Sequence, residues 1–168
     1  VFQDAKEANR NNCSIVVFPE LFLTGYKGFV DAKIARKKFY EISIKYPKIV
    51  FVFGTISEEK KNRATVWSNG KEILFYDKVH LFKPNNEHKI WKKGDSYKAV
   101  KTKYCNLGVI VCNDLRFPES ARTLRLKEKI DLLVVLAFWP LRRNEIWRDL
   151  LRSRAIENAI YTSGCCIS

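Results

Sequence analysis

Three polar side chains each stand just past an apolar run, and together they could break a carbon–nitrogen bond. Glu20 follows "SIVVF" and Pro19, Lys78 follows "EILFY" and Asp77, and Cys112 follows "LGVIV". A free thiol has a pKa near ~8.5 and is mostly protonated at neutral pH. A neighbouring ammonium favours the thiolate, and a carboxylate can accept the proton. In this scheme Glu20 deprotonates Cys112 and then protonates the departing ammonia. Lys78 and the backbone N–H of Asn113 stabilise the anionic tetrahedral intermediate. Glu20 then activates the water that cleaves the thioester. Thiol, carboxylate and ammonium suffice, so no metal or organic cofactor is called for. Taken singly, each residue has an ordinary use: a small buried hydrophobe for Cys112, a solvent-facing strand end for Glu20, and one lysine among many for Lys78.

The chemistry requires the three to converge, and the elements around them suggest how. "SIVVFPE" is a short buried run stopped by Pro19, which cannot donate to a sheet ladder. Ile34, Ala35, Phe39, Ile42 and Tyr46 recur at helical spacing and predict an amphipathic helix over Ala32 to Tyr46. Asp4 to Asn12 is weakly helical. "KIVFVFGTIS" reads as a strand, and "ATVWSNGKEILFYDK" as a hairpin turning at Asn69-Gly70. A polar loop, "KPNNEHKIWKKGD", precedes a short strand near Tyr97 to Thr102 and the strand Leu107 to Val111. A helix starts near Pro118, "DLLVVLAFWP" is a buried strand, and a long helix runs from about Asn144 to Tyr161. Apolar strands alternating with helices predict an α/β fold whose sheets are covered by helices. In such folds ligands collect outside the carboxyl ends of strands, which is where Glu20, Lys78 and Cys112 stand. The break at "CNDLRFP" would lift the sulfur clear of its sheet, as a nucleophile elbow does for serine.

The 168 residues are read as one domain, 1–168, because no linker, repeat or low-complexity tract divides them. A net charge of +13 raises nucleic acid as a partner. The charges are scattered through "ARKK", "EEKKN" and "WKKGD", and no stacking platform of aromatic and glycine residues accompanies them. A lysine-rich solvated surface is the favoured reading, with no nucleic-acid partner. No run approaches the ~20 apolar residues of a membrane helix. Five cysteines without CxxC spacing, beside two histidines, give no zinc signature. Their odd number, with no secretory signal, predicts reduced thiols in a cytoplasmic protein. Cys13, Cys105, Cys165 and Cys166 are expected to be inert packing residues. His80, two residues from Lys78, shares its strand face and offers a rival Cys–His pair with Cys112.

The assembled segments resemble the carbon–nitrogen hydrolase (nitrilase) family. "VVFPELFLTGY" is similar to its glutamate segment, "YDKVHLF" to its lysine segment and "GVIVCNDLRFPE" to its cysteine segment, in the family's order. The likeness continues through "NNEHKIWKKGD" and "AFWPLRRNEIWRDLLRSRAIENAIYTSGC". It implies an αββα sandwich with Glu20 as general base, Lys78 as stabilising cation and Cys112 as nucleophile. Glu87 matches a second glutamate held near the lysine and sulfur, where the residue type alone suggests a solvated loop carboxylate. "EHxxWxxG" and "WP" followed by "WRDLLRSRAIEN" look most like the omega-amidase branch, which hydrolyses the terminal amide of 2-oxoglutaramate or succinamate. Arg116, four residues past the thiol, could pair with the carboxylate of such a substrate, or with Asp114 or Glu119. Tyr26, Phe138 and Trp139 are expected either to line the pocket or to be plain core aromatics. A general aliphatic amidase, a carbamoyl-amide hydrolase and a nitrilase are the alternatives within the family. Relative to the family pattern the sandwich looks incomplete, lacking a strand before the first helix and strands after "YTSGC". A homodimer is implied by the resemblance alone.

Overall fold

A computed structural model describes all 168 residues and places them in two four-stranded sheets. The first sheet has the order β1 (Ile15–Val17), β2 (Val50–Glu58), β3 (Lys61–Ser68) and β4 (Lys71–Asp77). Helix α1 (Phe2–Arg10) leads into β1, and α2 (Ala32–Lys45) makes the crossover that lets β1 and β2 lie parallel. Asp31 caps α2 by accepting the Lys33 N–H at 2.7 Å. Asn69 and Gly70, with φ of 47° and 76°, form the predicted two-residue turn between antiparallel β3 and β4.

The second sheet has the order β5 (Ala99–Lys101), β6 (Asn106–Val111), β7 (Leu132–Phe138) and β8 (Tyr161–Ile167). Strands β6, β7 and β8 are parallel, joined through α4 (Pro118–Glu128) and α5 (Asn144–Asn158). A single helical turn, α3 (Glu87–Ile90), lies inside the segment expected to be loop.

Alternation along β2 assembles the layers. Phe51 and Phe53 point to one face, where they pack with Ala5 of α1 and with Ala35, Phe39 and Ile42 of α2. The rings of Phe39 and Phe53 stack with centroids 4.0 Å apart. Val50 and Val52 point to the other face and join Ala64, Val66 and Tyr76 in a core shared with β6 and β7. Ala121 and Leu124 of α4 and Trp147 of α5 close that core from the far side. The layer order is helices, sheet, sheet, helices, an αββα sandwich.

Two expectations change. Helix α5 stops at Asn158 rather than Tyr161, because Ala159 turns left-handed at φ 49° and Tyr161 pairs with Leu132. Cys13 and Cys166 are exposed, so the packing role expected of them does not hold; Cys105 and Cys165 are partly buried, Cys105 against the shared core, and all five thiols are free. No helix is long and apolar enough to cross a membrane.

Two glycines allow the strand ends to come together. A Cβ on Gly54 of β2 would sit 1.7 Å from the Pro19 carbonyl oxygen, and one on Gly94 would sit 2.1 Å from that of Asp77. These carbonyls directly precede Glu20 and Lys78. Gly54→Ala is therefore expected to lower stability by about 1–3 kcal/mol, the usual cost of forcing extra volume into a packed site. Urea denaturation measures this, and an unchanged midpoint would show that the close approach is not required.

Candidate active site

The strand ends converge. Lys78 follows β4 and its ammonium is wholly buried. It donates to Glu20 Oε1 at 2.8 Å and to Glu87 Oε1 at 2.9 Å, and both of those side chains are also wholly buried. Buried charges need partners on every side, and these have them. Glu20 accepts from the Asn62 side-chain amide at 2.9 Å and from the Phe138 N–H at 2.9 Å. Glu87 accepts from the Tyr26 hydroxyl at 2.7 Å and the Phe82 N–H at 2.7 Å.

Backbone conformation contributes to the placement. Leu21, directly after Glu20, has φ 50°; Asn86, directly before Glu87, has φ 57°; Cys112 itself has φ 48°. A left-handed non-glycine residue costs of order 1–2 kcal/mol, and such strain gathers where a side chain must be aimed. Leu21 is held by its N–H to Thr55 Oγ1 at 3.0 Å. Cys112 opens a 3-10 turn, Cys112–Arg116, that turns away from the end of β6.

The Cys112 sulfur lies 3.7 Å from the Phe138 carbonyl oxygen. Burial, and then the Glu20 carboxylate, push this thiol well above the ordinary cysteine range, while Lys78 pulls it down. Burial works against the Lys78 ammonium, yet Glu20, Cys112 and Glu87 outweigh it and raise its pKa well above the usual lysine value. Burial and the charge of Glu20 likewise raise the Tyr26 phenol. The surroundings thus favour a neutral thiol beside a charged ammonium.

Cys112 opens onto a cavity of about 230 Å³, and Asn113, Arg116, Tyr26, Phe138 and Trp139 line the same space. Glu20, Lys78 and Glu87 stand behind it without solvent exposure. Glu87 is therefore not a solvated loop carboxylate. Arg116 pairs with neither Asp114 nor Glu119; its guanidinium lies 4.8 Å from the Trp139 ring centre. Trp139 serves both purposes considered for it, as a cavity wall and as a member of the shared core. His80 does not take Cys112 as its partner. Its Nδ1 is 3.0 Å from Asp114 Oδ1, and its ring stacks on Phe117 with centroids 3.6 Å apart.

Several residues here went unnoticed in the sequence. Arg142 and Arg143 also line the cavity. Arg36, Arg63 and Arg154 have carboxylate partners, whereas Arg116, Arg142 and Arg143 make no ion pair. Asn62, which binds Glu20 and whose carbonyl accepts the Lys78 N–H at 3.0 Å, carries no local signal in its hairpin. Nowhere do three or more His, Cys, Asp or Glu side chains gather as metal ligands would.

Comparison with known proteins agrees with this geometry. The carbon–nitrogen hydrolase family model matches residues 3–166. The chain belongs to the carbon–nitrogen hydrolase family. It is 39% identical over 104 residues to an omega-amidase of Escherichia coli (strain K12), covering 62% of this chain and 40% of the relative. It is 29% identical over 171 residues to the 2-oxoglutaramate amidase of Bacillus subtilis (strain 168), covering 95% and 65%. The chain thus spans 40% to 65% of the length of these two relatives. Among solved structures it superposes on Nit3 of Saccharomyces cerevisiae, a member of branch 10 of the nitrilase superfamily, with a TM-score of 0.84 at 25% identity, covering 99% of this chain and 67% of that one.

The order of charges makes a prediction about the sulfur. Glu20 raises the thiol pKa, so Glu20→Gln is expected to lower the pH midpoint for alkylation of Cys112 by iodoacetamide. Mass spectrometry of the Cys112 peptide across a pH series measures it. A midpoint that stays put or rises would contradict the placement of Glu20 beside the sulfur.

Proposed function

We propose that the protein hydrolyses the terminal amide of a small omega-amido dicarboxylate, of the 2-oxoglutaramate kind, through a thioester on Cys112. One observation carries the reading: a wholly buried ammonium, held 2.8 Å and 2.9 Å from two carboxylates, stands behind a thiol that opens onto a small cavity.

The steps follow from the chemistry of the groups. Glu20 takes the Cys112 proton as Sγ attacks the amide carbon. The carbonyl π pair moves to oxygen, and the oxyanion is stabilised by the Lys78 ammonium and the Asn113 N–H. Glu20 returns the proton to nitrogen, the C–N bond breaks, and ammonia leaves a thioester behind. A water gives its proton to Glu20 and attacks the thioester. The C–S bond breaks, the sulfur regains a proton, and the acid departs. Glu87 positions Lys78 and, by hydrogen-bonding Tyr26, fixes one wall of the cavity.

The unpaired Arg116, Arg142 and Arg143 suit the free carboxylate of such a substrate, because guanidinium matches a carboxylate with two parallel hydrogen bonds. Tyr26, Phe138 and Trp139 would flank its carbon chain. A cavity of about 230 Å³ lies below the range for drug-sized ligands and suits a short chain. The relatives named as an omega-amidase and a 2-oxoglutaramate amidase support the same class. We further read the protein as cytoplasmic, in keeping with five free thiols, and as a homodimer, on family resemblance.

The test is ammonia release by the full-length protein from 2-oxoglutaramate, succinamate, a carbamoyl amino acid and a simple nitrile. The two carboxylate-bearing amides are expected to lead. Replacing Arg142 and Arg143 together with Ala is expected to raise KM for them about 10- to 100-fold, the scale of a lost hydrogen bond to a charged group, with less effect on a neutral amide. Preference for the nitrile or the carbamoyl compound would overturn the substrate class. No turnover of any of the four would overturn the activity.

A further inference from the structure

Asp114 is wholly buried, stands two residues past Cys112, and takes no part in the chemistry above. We propose that Asp114 is a positioning residue whose one carboxylate fixes the lysine-bearing and cysteine-bearing segments to each other. The proposal rests on the reading of Cys112 as nucleophile.

Three donors and a histidine ring nitrogen meet this carboxylate. Oδ2 accepts from the Tyr76 hydroxyl at 2.7 Å and from the Val111 N–H at 3.0 Å. Oδ1 accepts from the His80 N–H at 2.7 Å and lies 3.0 Å from His80 Nδ1. Tyr76 and His80 flank Lys78 by two residues on either side, and Val111 directly precedes Cys112. A single side chain thereby ties both flanks of the ammonium to the residue from which the sulfur-bearing turn springs. Asn113 adds a parallel tie through its side-chain amide to the His80 carbonyl at 3.1 Å. Arg154 holds the far end of the turn, donating twice to the Leu115 carbonyl at 3.2 Å and 3.0 Å.

An ionised carboxylate accepts on both oxygens and donates on neither. An asparagine would offer one oxygen and turn an NH2 group toward donors, so size alone does not account for an aspartate here. The left-handed Cys112, at φ 48°, needs such support, because its own backbone preference would carry the sulfur elsewhere. Glu20, Lys78 and Glu87 act on the sulfur from behind, and Tyr26, Arg116, Arg142 and Arg143 line the cavity it opens onto. Of these, Lys78 is the one whose segment Asp114 holds.

Tyr76→Phe tests the clamp without changing charge, since the ring still fills its wholly buried site. The pH midpoint of Cys112 alkylation is expected to rise, because a Lys78 that drifts from the sulfur no longer favours the thiolate. Simple loosening would instead hydrate the thiol and lower the midpoint. On the best amide, kcat is expected to fall about tenfold or more, as small misplacements of reacting groups do, with KM within about twofold. Asp114→Asn is expected to lose more kcat than Tyr76→Phe. If Asp114→Asn does not fold, Tyr76→Phe alone decides. An unchanged or lowered midpoint with kcat intact would overturn the proposal. A protein that hydrolyses no amide would sink the proposed function, and the alkylation midpoint would still decide the role of Asp114.

Discussion

The site depends on one buried cation. An ammonium taken wholly out of water costs several kcal/mol even after relaxation, and here the cost is offset by two carboxylates within 3 Å. Removing the ammonium would leave two buried carboxylates unpaired, an effect worth about 3–5 kcal/mol in buried pairs. Glu20, Lys78 and Glu87 therefore constrain one another. They come from the ends of β1 and β4 and from α3, so the ion cluster also fixes how those elements meet. Two carboxylates against one ammonium leave the sulfur in a negative field, which with burial keeps its proton in place. Under the proposed chemistry that proton is the first thing to move, and its destination is already in position.

The fold supplies this cluster by cooperation between layers. The first sheet contributes Glu20, Asn62 and Lys78, and the second contributes Cys112 and the Phe138 N–H that binds Glu20. Sheet-to-sheet packing of Val50, Val52, Ala64 and Val66 against β6 and β7 is thus a condition of the site. Close backbone approach at Gly54 and Gly94 admits the two segments that carry Glu20 and Lys78. Left-handed residues at Leu21, Asn86 and Cys112 then aim the chain over the final few ångströms.

Much of this was legible in the residues. Continuous apolar strands, the Asn69-Gly70 turn and the helical spacing over Ala32 to Tyr46 announced a layered α/β fold. Glu20, Lys78 and Cys112 were legible as candidates because each stands just past an apolar run. Glu87 was visible only through resemblance, since a glutamate in a polar loop has no local mark of burial. Asn62, Tyr76 and the Phe138 N–H were not legible at all. Their partners lie 42, 38 and 118 residues away, and only tertiary packing brings them together. His80 shows the converse. Its spacing from Lys78 suggested the sulfur as a partner, but Asp114 and Phe117 occupy its ring.

The most direct test is to catch the covalent intermediate. The full-length protein is mixed with its best amide, quenched within one turnover, and its peptides are weighed. The Cys112 peptide is expected to carry the mass of the substrate less ammonia, and to carry none when Lys78 is replaced by Ala. Ammonia released in the first turnover, with Cys112 unmodified and another residue acylated or none, would contradict the account.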